Sequence, residues 1–423
     1  MVTKQYSLSL GAVFLIVDKS VPNFIKQNYL FYRIILWIIL IISVFVLIRL
    51  APTLTKPEYL PSDDFVPYWA SGKLNLSGEN PFDPQNVEKL QIATSGQASG
   101  AYTISIVLNP PWAISLLMPF GLLDYPSGRL AWLIFSTVLL VISSQLLWRI
   151  YSGNPSQRWI ALVVTFIFAP TISVLEVGQI APIILLGLTG FLFLYPNRRN
   201  DWLAGAFLAL ISIKPQVAYI FWIALLFWVI KQRRWLILIS AAITILLLTL
   251  IAMIYNPDII QQYLLMLQTY QISDWANPTI GAYLRFFWFG TDKFWLQILP
   301  SLIGGVWFLY YWHIHNTSWN WVNELPILLL ISQITSTYTW TYDQVILIPA
   351  IIQATVWTLT DWKRWSTLAL ACIYIGINVL DLILHMRLSD FWFIWLAPAL
   401  LIWFLVIRRQ YSAKMDREII YVN

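Results

Sequence analysis

The sequence predicts an all-α polytopic membrane protein with about twelve membrane-spanning helices, and three observations carry that prediction. Hydrophobic residues fill 59% of 423 positions against 11% charged, and mean hydropathy is +0.69. A soluble domain carries roughly 25% charged residues, so this chain cannot cover itself for water. Apolar runs recur from Phe31 almost to Arg409, many near the ~20 residues that cross a bilayer. Many of the 24 tryptophans flank those runs, as amphipathic rings do at headgroup level.

In chain order the expected spans are Tyr32–Leu50, Leu130–Trp148, Trp159–Leu175, Ile180–Tyr195, Trp202–Ile213 and Val217–Ile230. They continue with Trp235–Tyr255, Phe294–Trp312, Leu325–Trp340, Val345–Leu359, Trp365–Leu384 and Phe391–Ile407. Lys214-Pro215 separates two short runs. Proline removes a backbone donor and bends the chain, so a tight helical hairpin is expected there. The stretch Leu8–Val17 is apolar but has no cleavage-site pattern, and residues 1–31 read as a cytoplasmic interfacial segment. Cys372 is the only cysteine, which excludes an intramolecular disulfide and a cysteine-cluster metal site.

The net charge of +6 is scattered through short loops rather than gathered in a patch, which sets topology and speaks against nucleic acid. With the N-terminus inside, Lys4, Lys19, Lys26 and Arg33 share a side with Arg149, Arg158, Arg198 and Arg199. Lys231, Arg233, Arg234, Lys363 and Arg364 fall there too, as does a cytoplasmic tail over residues 408–423. By the positive-inside rule that side is the cytoplasm of an inner (plasma) membrane. The parity holds only if Ile104–Leu123, interrupted by Pro110, Pro111 and Pro119, does not cross. Residues 51–128 then form a long extracytoplasmic loop with interfacial helices, and residues 256–293 a second one.

The remaining ionisable groups gather on the outer side. Asp63, Asp64 and Lys73 lie in the first loop, Glu176 and Gln179 after the third span, Lys214 in the hairpin, and Arg285 in the second loop; Asp343 and the His385, Arg387, Asp390 group lie in later turns. Charges near membrane depth are costly unless paired or hydrated, and a polar cavity would account for their gathering. Asp63 or Asp64 can cap a short helix whose Phe65, Tyr68, Trp69 and Leu76 rest on the membrane surface. An adjacent acid pair can also bind a divalent cation, but two carboxylates are a thin ligand set, and no His/Cys/Asp spacing defines a dedicated metal site. Lys214 has a second reading as a cation snorkelling to headgroups, Arg285 as a ligand for bulk lipid phosphate, and the His385 group as an interfacial cluster.

The run Asp64-Phe-Val-Pro-Tyr68, with Asn80-Pro-Phe-Asp83, resembles the first extracytoplasmic loop of family 87 glycosyltransferases, polyprenol-phosphate-mannose-dependent enzymes of the GT-C fold. Asn109-Pro-Pro-Trp112 with Pro119 resembles the family's proline-led juxtamembrane helix. Gly178-Gln179, Lys214-Pro215-Gln216 and Ser336–Pro349 with Trp340 resemble its later motifs, in order, over about Pro61 to Pro349. Near Trp340, family members often carry histidine where this chain has Tyr342-Asp343.

The resemblance implies a GT-C-like architecture and an extracytoplasmic hexosyltransferase with Asp64 as catalytic base. The substrate-binding residues it implies, together with the polar residues above, are Asp63, Tyr68, Lys73, Glu176, Gln179, Lys214, Gln216, Arg285, Tyr342 and Asp343. Nucleotide sugars are cytoplasmic, so the implied donor is a polyprenyl-phosphate sugar, mannose-like, and the acceptor a lipid or glycan, with membrane lipids as surroundings and no cofactor. Transfer would be a single inverting displacement, with Lys214 and Arg285 the cations placed to meet the leaving phosphate. The competing classes are a secondary transporter, whose site would lie at midplane between repeated halves, and an envelope polysaccharide or lipid assembly subunit without transferase activity. No internal repeat is evident, and the long acidic first loop favours the transferase.

Overall fold

The computed structural model describes residues 64–95, 105–270, 275–361 and 364–422. The expected span Tyr32–Leu50, the segment 1–31 and Asp63 lie outside the described residues, which contain helices and connections and no strand. The helices are α1 Phe65–Leu76, α2 Pro84–Ser95, α3 Pro111–Gly121, α4 Tyr125–Ile150, α5 Trp159–Phe166, α6 Ala169–Val177, α7 Ala181–Leu194 and α8 Asp201–Ile211. They continue as α9 Tyr219–Gln232, α10 Trp235–Tyr255, α11 Ile259–Thr269, α12 Leu299–His315, α13 Trp321–Thr335, α14 Ile348–Asp361, α15 Arg364–His385 and α16 Leu396–Val422. The last helix thus runs on through most of the expected tail.

Among the described residues, seven helical stretches are long and apolar enough to cross a membrane, or eight if the bent pair α5–α6 is one span. The protein is therefore an all-α, multi-pass membrane protein. On α10 the side chains of Ile239, Ile243, Leu246, Leu247, Leu250 and Ile254 are exposed, an apolar surface of the kind a helix presents to lipid. The count of full-length spans is lower than the run count suggested, for identifiable reasons. The run Trp159–Leu175 bends by 69° between α5 and α6, because Pro170 in the first turn of α6 has no N–H to continue the ladder. The freed amide of Ala169 donates instead to Asn378 Oδ1 of α15 at 2.7 Å, which satisfies a group that lipid could not. Helices α7, α8 and α13 have 14, 11 and 15 residues, and each has one end at an irregular segment: residues 178–180 before α7, 212–218 after α8 and 336–340 after α13.

Of the stretch Ile104–Leu123, the described residues from Ser105 on carry the 11-residue α3, about 16 Å of rise against a ~30 Å hydrocarbon core. Pro111 starts it from the first helical position, where a missing N–H costs nothing. Helix α3 lies across α1; a Cβ on Gly72 would stand 2.6 Å from Leu117 O, so glycine is required at that crossing. Ser115 Oγ donates to Leu248 O, and Asn75 Nδ2 to Ala252 O at 3.1 Å, tying both helices to α10.

The expectation that Phe65, Tyr68 and Trp69 rest on the membrane surface is corrected: all three are buried. Phe65 packs on Trp132 of α4 with ring centroids 5.5 Å apart, and Phe120 meets the same indole edge-on. Burying aromatic area of this kind holds α1, α3 and the start of α4 together. The Lys214-Pro215 turn is likewise not a tight hairpin. Helix α8 packs mainly on α7 and α10, and α9 on α13 and α12, so the turn is a splayed junction.

The two ends of α9 have different neighbours. At one end Lys231 Nζ donates to Asn316 O at 2.6 Å, and Arg198 Nη2 to Gln232 O at 2.9 Å. The Lys214 turn stands at the other end, separated by the rise of α9, about 21 Å for its 14 residues.

Candidate active site

Asp64 occupies the N-cap position of α1, but its side chain makes no capping hydrogen bond. Pro67, the third helical residue, has no N–H to offer a cap. The half-buried carboxylate turns across the fold instead, and its Oδ2 accepts from Gln179 Nε2 at 2.7 Å. Gln179 Oε1 accepts in turn from the Tyr68 hydroxyl at 2.7 Å. Tyr68 lies one turn beyond Asp64 on the same helix face, so one amide bridges both. Burial, with the nearby Asp64 and then Asp343 charges, raises the Tyr68 hydroxyl far above its ordinary pKa. It therefore stays a donor.

Gln179 is held by the end of α6. Gly178 takes the left-handed conformation at φ 75° and terminates the helix, as a glycine without Cβ does at low cost. Two α4 side chains then occupy carbonyls at that end: Arg129 Nη2 donates to Leu175 O at 2.9 Å and Glu176 O at 2.7 Å, and Trp132 Nε1 to Gly178 O at 2.8 Å. A cation at a helix C-terminus meets the negative end of its dipole. Sequence reasoning passed over both residues, since Arg129 reads as the flank of a span.

Lys214 is reached from three sides. Asn109 Nδ2 donates to Ile213 O at 3.1 Å, Gln333 Nε2 to Val217 O at 2.8 Å, and Ser336 Oγ to Gln216 O at 3.1 Å. Pro215 keeps Lys214 out of the helical region (φ −142°, ψ 68°). Its ammonium donates to Asp343 Oδ1 at 2.6 Å and lies 5.2 Å from the Tyr342 ring centroid. The ion pair is buried, with side-chain exposures of 10% and 0%. Asp343 Oδ2 accepts from Trp340 N at 3.0 Å, which closes the first turn of the 3₁₀ segment Thr341–Leu347.

The two halves share one neighbourhood. Helices α6 and α7 both pack on the segment Thr341–Leu347, and Tyr342 lies within electrostatic reach of Asp64, Asp343, Tyr338 and Tyr68. The structure therefore brings together Asp64, Tyr68, Gln179, Lys214, Tyr342 and Asp343 from four separate turns. Glu176 stands beside them through its backbone, and Gln216 contributes its carbonyl to Ser336.

Two expected residues sit elsewhere. Lys73 is nine residues along α1 from Asp64, about 13 Å of rise, with its ammonium 5.4 Å from the Trp69 ring centroid. Arg285 is 1% exposed and is engaged within its own loop. Its Nη2 and Nε donate to Thr291 O at 2.7 and 3.2 Å, and its Nη1 to Gln297 Oε1 at 3.1 Å. Gln297 Nε2 then donates to Thr337 O at 2.6 Å, so Arg285 braces the segment leading to Trp340.

The His385 group proves to be more than an interfacial cluster. Asp390 Oδ2 accepts from Thr341 N at 3.0 Å, while His385 bridges Asp390 Oδ1 and Asp381 Oδ2 at 3.2 Å each. That network pins the residue two before Asp343. Among the described residues no three His, Cys, Asp or Glu side chains lie together as a metal site.

The family model of glycosyltransferase family 87 matches residues 108–333, more than half of the chain. The chain belongs to glycosyltransferase family 87. It is a membrane transferase enzyme, with a sugar donor and an acceptor as its substrates, which sets aside the transporter reading. The match is narrower than the resemblance read over Pro61 to Pro349: this family 87 glycosyltransferase carries Asn109, Gln179 and Lys214 inside the matched region, and Asp64, Tyr342 and Asp343 outside it. No curated protein matches the chain, and no solved structure matches it.

Proposed function

We propose that this glycosyltransferase moves a mannose-like hexose from a polyprenyl-phosphate donor to a lipid or glycan acceptor, with Asp64 as general base and inversion at the anomeric carbon. The observation that carries the reading is the half-buried Asp64 carboxylate, held by Gln179 next to the buried Lys214–Asp343 pair. An acceptor hydroxyl oxygen forms a bond to the anomeric carbon as the bond to the phosphate oxygen breaks. The bonding pair leaves with the phosphate, and the hydroxyl proton goes to Asp64. The leaving group is a phosphate monoester, which needs a cation rather than an acid. Lys214 supplies one, because an ammonium has three donors and Asp343 uses one of them. Gln179 and Tyr68 orient the base. Arg285 and Lys73 stand apart from the transfer, Asp343 holds the lysine, and no resident cofactor takes part.

Orientation follows the charges. Arg198, Lys231 and their neighbours gather at the end of α9 away from Lys214, and the positive-inside rule makes that end cytoplasmic. The Asp64–Lys214 end is then extracytoplasmic in the plasma membrane of a GT-C-like enzyme, where only a lipid-linked donor is available. The test is donor class. The purified chain in nanodiscs is expected to transfer sugar from polyprenyl-phosphate mannose or another polyprenyl-phosphate hexose, and not from nucleotide sugars. Transfer from a nucleotide sugar alone would remove both the donor assignment and the extracytoplasmic placement.

A further inference from the structure

We infer that Tyr338, Trp340 and Tyr342 form a stacking ridge for the hexosyl ring of the substrate. The inference rests on the donor reading above. Between α13 and the 3₁₀ segment the chain bends at Thr337 and Tyr338, is extended at Trp340 and turns helical at Thr341, and burial alternates residue by residue from Tyr338 to Asp343. Thr339, Thr341 and Asp343 point inward and are 1%, 0% and 0% exposed, whereas Tyr338, Trp340 and Tyr342 keep part of their surface open. This inverts the usual order, in which aromatic rings are buried and threonine and aspartate face out. Three hydrogen bonds hold the inward side: Thr339 Oγ1 donates to Gln333 Oε1 at 2.8 Å, the Thr341 backbone N to Asp390 Oδ2 at 3.0 Å, and Lys214 Nζ to Asp343 Oδ1 at 2.6 Å. The alternation is therefore fixed from behind by hydrogen bonds, with the aromatic side left to face something.

That something is not simply lipid. The Trp340 indole is oriented by a hydrogen bond from Nε1 to the Tyr338 hydroxyl at 2.8 Å, and Trp275 packs over both rings at centroid distances of 6.3 and 5.7 Å. The Trp340 and Tyr342 planes lie within 23° of parallel. Lys214 sits against Tyr342, and the Tyr338 hydroxyl is raised above its ordinary pKa first by burial and then by the Asp343 and Asp64 charges. A ring with an ammonium 5.2 Å from its centroid and the Asp64 carboxylate within electrostatic reach suits a pyranose. Its C–H face carries partial positive charge toward the π-cloud, while its hydroxyl edges need polar partners. An isoprenoid chain offers the first and not the second.

Binding of two lipids to the full chain in nanodiscs separates these cases: polyprenyl-phosphate mannose and sugar-free polyprenyl phosphate. Trp340→Leu keeps an apolar side chain and removes the π-face; it is expected to weaken the mannosyl lipid about 10-fold and leave the sugar-free lipid unchanged. Trp340→Phe should recover most of that loss. Equal weakening of both lipids would mean that the ridge holds the lipid or the local fold, and no weakening of either would mean that it holds nothing; both overturn the inference. A wild-type chain that binds the two lipids equally overturns it as well. Failure of every polyprenyl-phosphate sugar as a donor is a separate result, which removes the proposed function itself.

Discussion

Asp64→Asn is expected to lower transfer from a polyprenyl-phosphate donor by about 10²–10⁴-fold, the range general-base catalysis contributes, with donor binding retained. The variant should fold, because the asparagine carbonyl can still accept from Gln179 Nε2 where the carboxylate now does, at 2.7 Å. What it loses is the capacity to take a proton. Asp63→Asn should be milder, since adjacent side chains cannot both point at one reacting hydroxyl. Initial rates and donor affinities of the two variants, measured side by side, decide the matter. A dead Asp63→Asn beside a near-normal Asp64→Asn would reverse the assignment, and normal transfer by both would make the first loop structural.

Lys214→Met is expected to abolish transfer and also to destabilise the fold. It leaves Asp343, which is 0% exposed, as a buried charge without its cation, and breaking such a pair costs on the order of 3–5 kcal/mol. Adding Asp343→Asn removes the stranded charge, so the double variant should regain much of the lost stability and none of the activity. The two readouts therefore separate, as a double-mutant cycle allows. Thermal unfolding in detergent and transfer rate, taken on both single variants and the double, measure this. A Lys214→Met chain that melts and transfers like the wild type would show that the lysine neither supports the fold nor meets the phosphate.

Much of this site is local chemistry visible in the chain. Pro67 denies Asp64 a partner at the third helical position, Gly178 marks the end of a helix just before Gln179, and Pro215 breaks the chain beside Lys214. Asp64, Tyr68, Gln179 and Lys214 each lie beside such a break, whereas Tyr342 and Asp343 do not. The alternation Tyr338-Thr-Trp340-Thr-Tyr342-Asp343 was equally readable, but its inversion shows only once burial separates the two sides. What the chain does not announce is contact across many residues. Gln179 reaches Asp64 over 115 positions and Lys214 reaches Asp343 over 129, and no periodicity records either. Arg129 and Trp132 look like the flank of a span because hydropathy averages composition and does not see a helix end that needs covering. The same averaging reads Trp159–Leu175 as one straight helix, although Pro170 removes the donor that straightness requires, and a short capped helix with aromatic residues reads as interfacial although α3 and α4 cover Phe65 and Trp69. Arg285 carried the right charge for a phosphate, but its donors go to Thr291 and Gln297.

The most direct measurement is a cryo-electron microscopy structure of the Asp64→Asn chain with polyprenyl-phosphate mannose bound. The mechanism places the donor phosphate about 3 Å from Lys214 Nζ, with the sugar on the Trp340 side and its anomeric carbon facing residue 64. A donor phosphate seated on Arg285, or among Arg198 and Lys231 at the far end of α9, would contradict it.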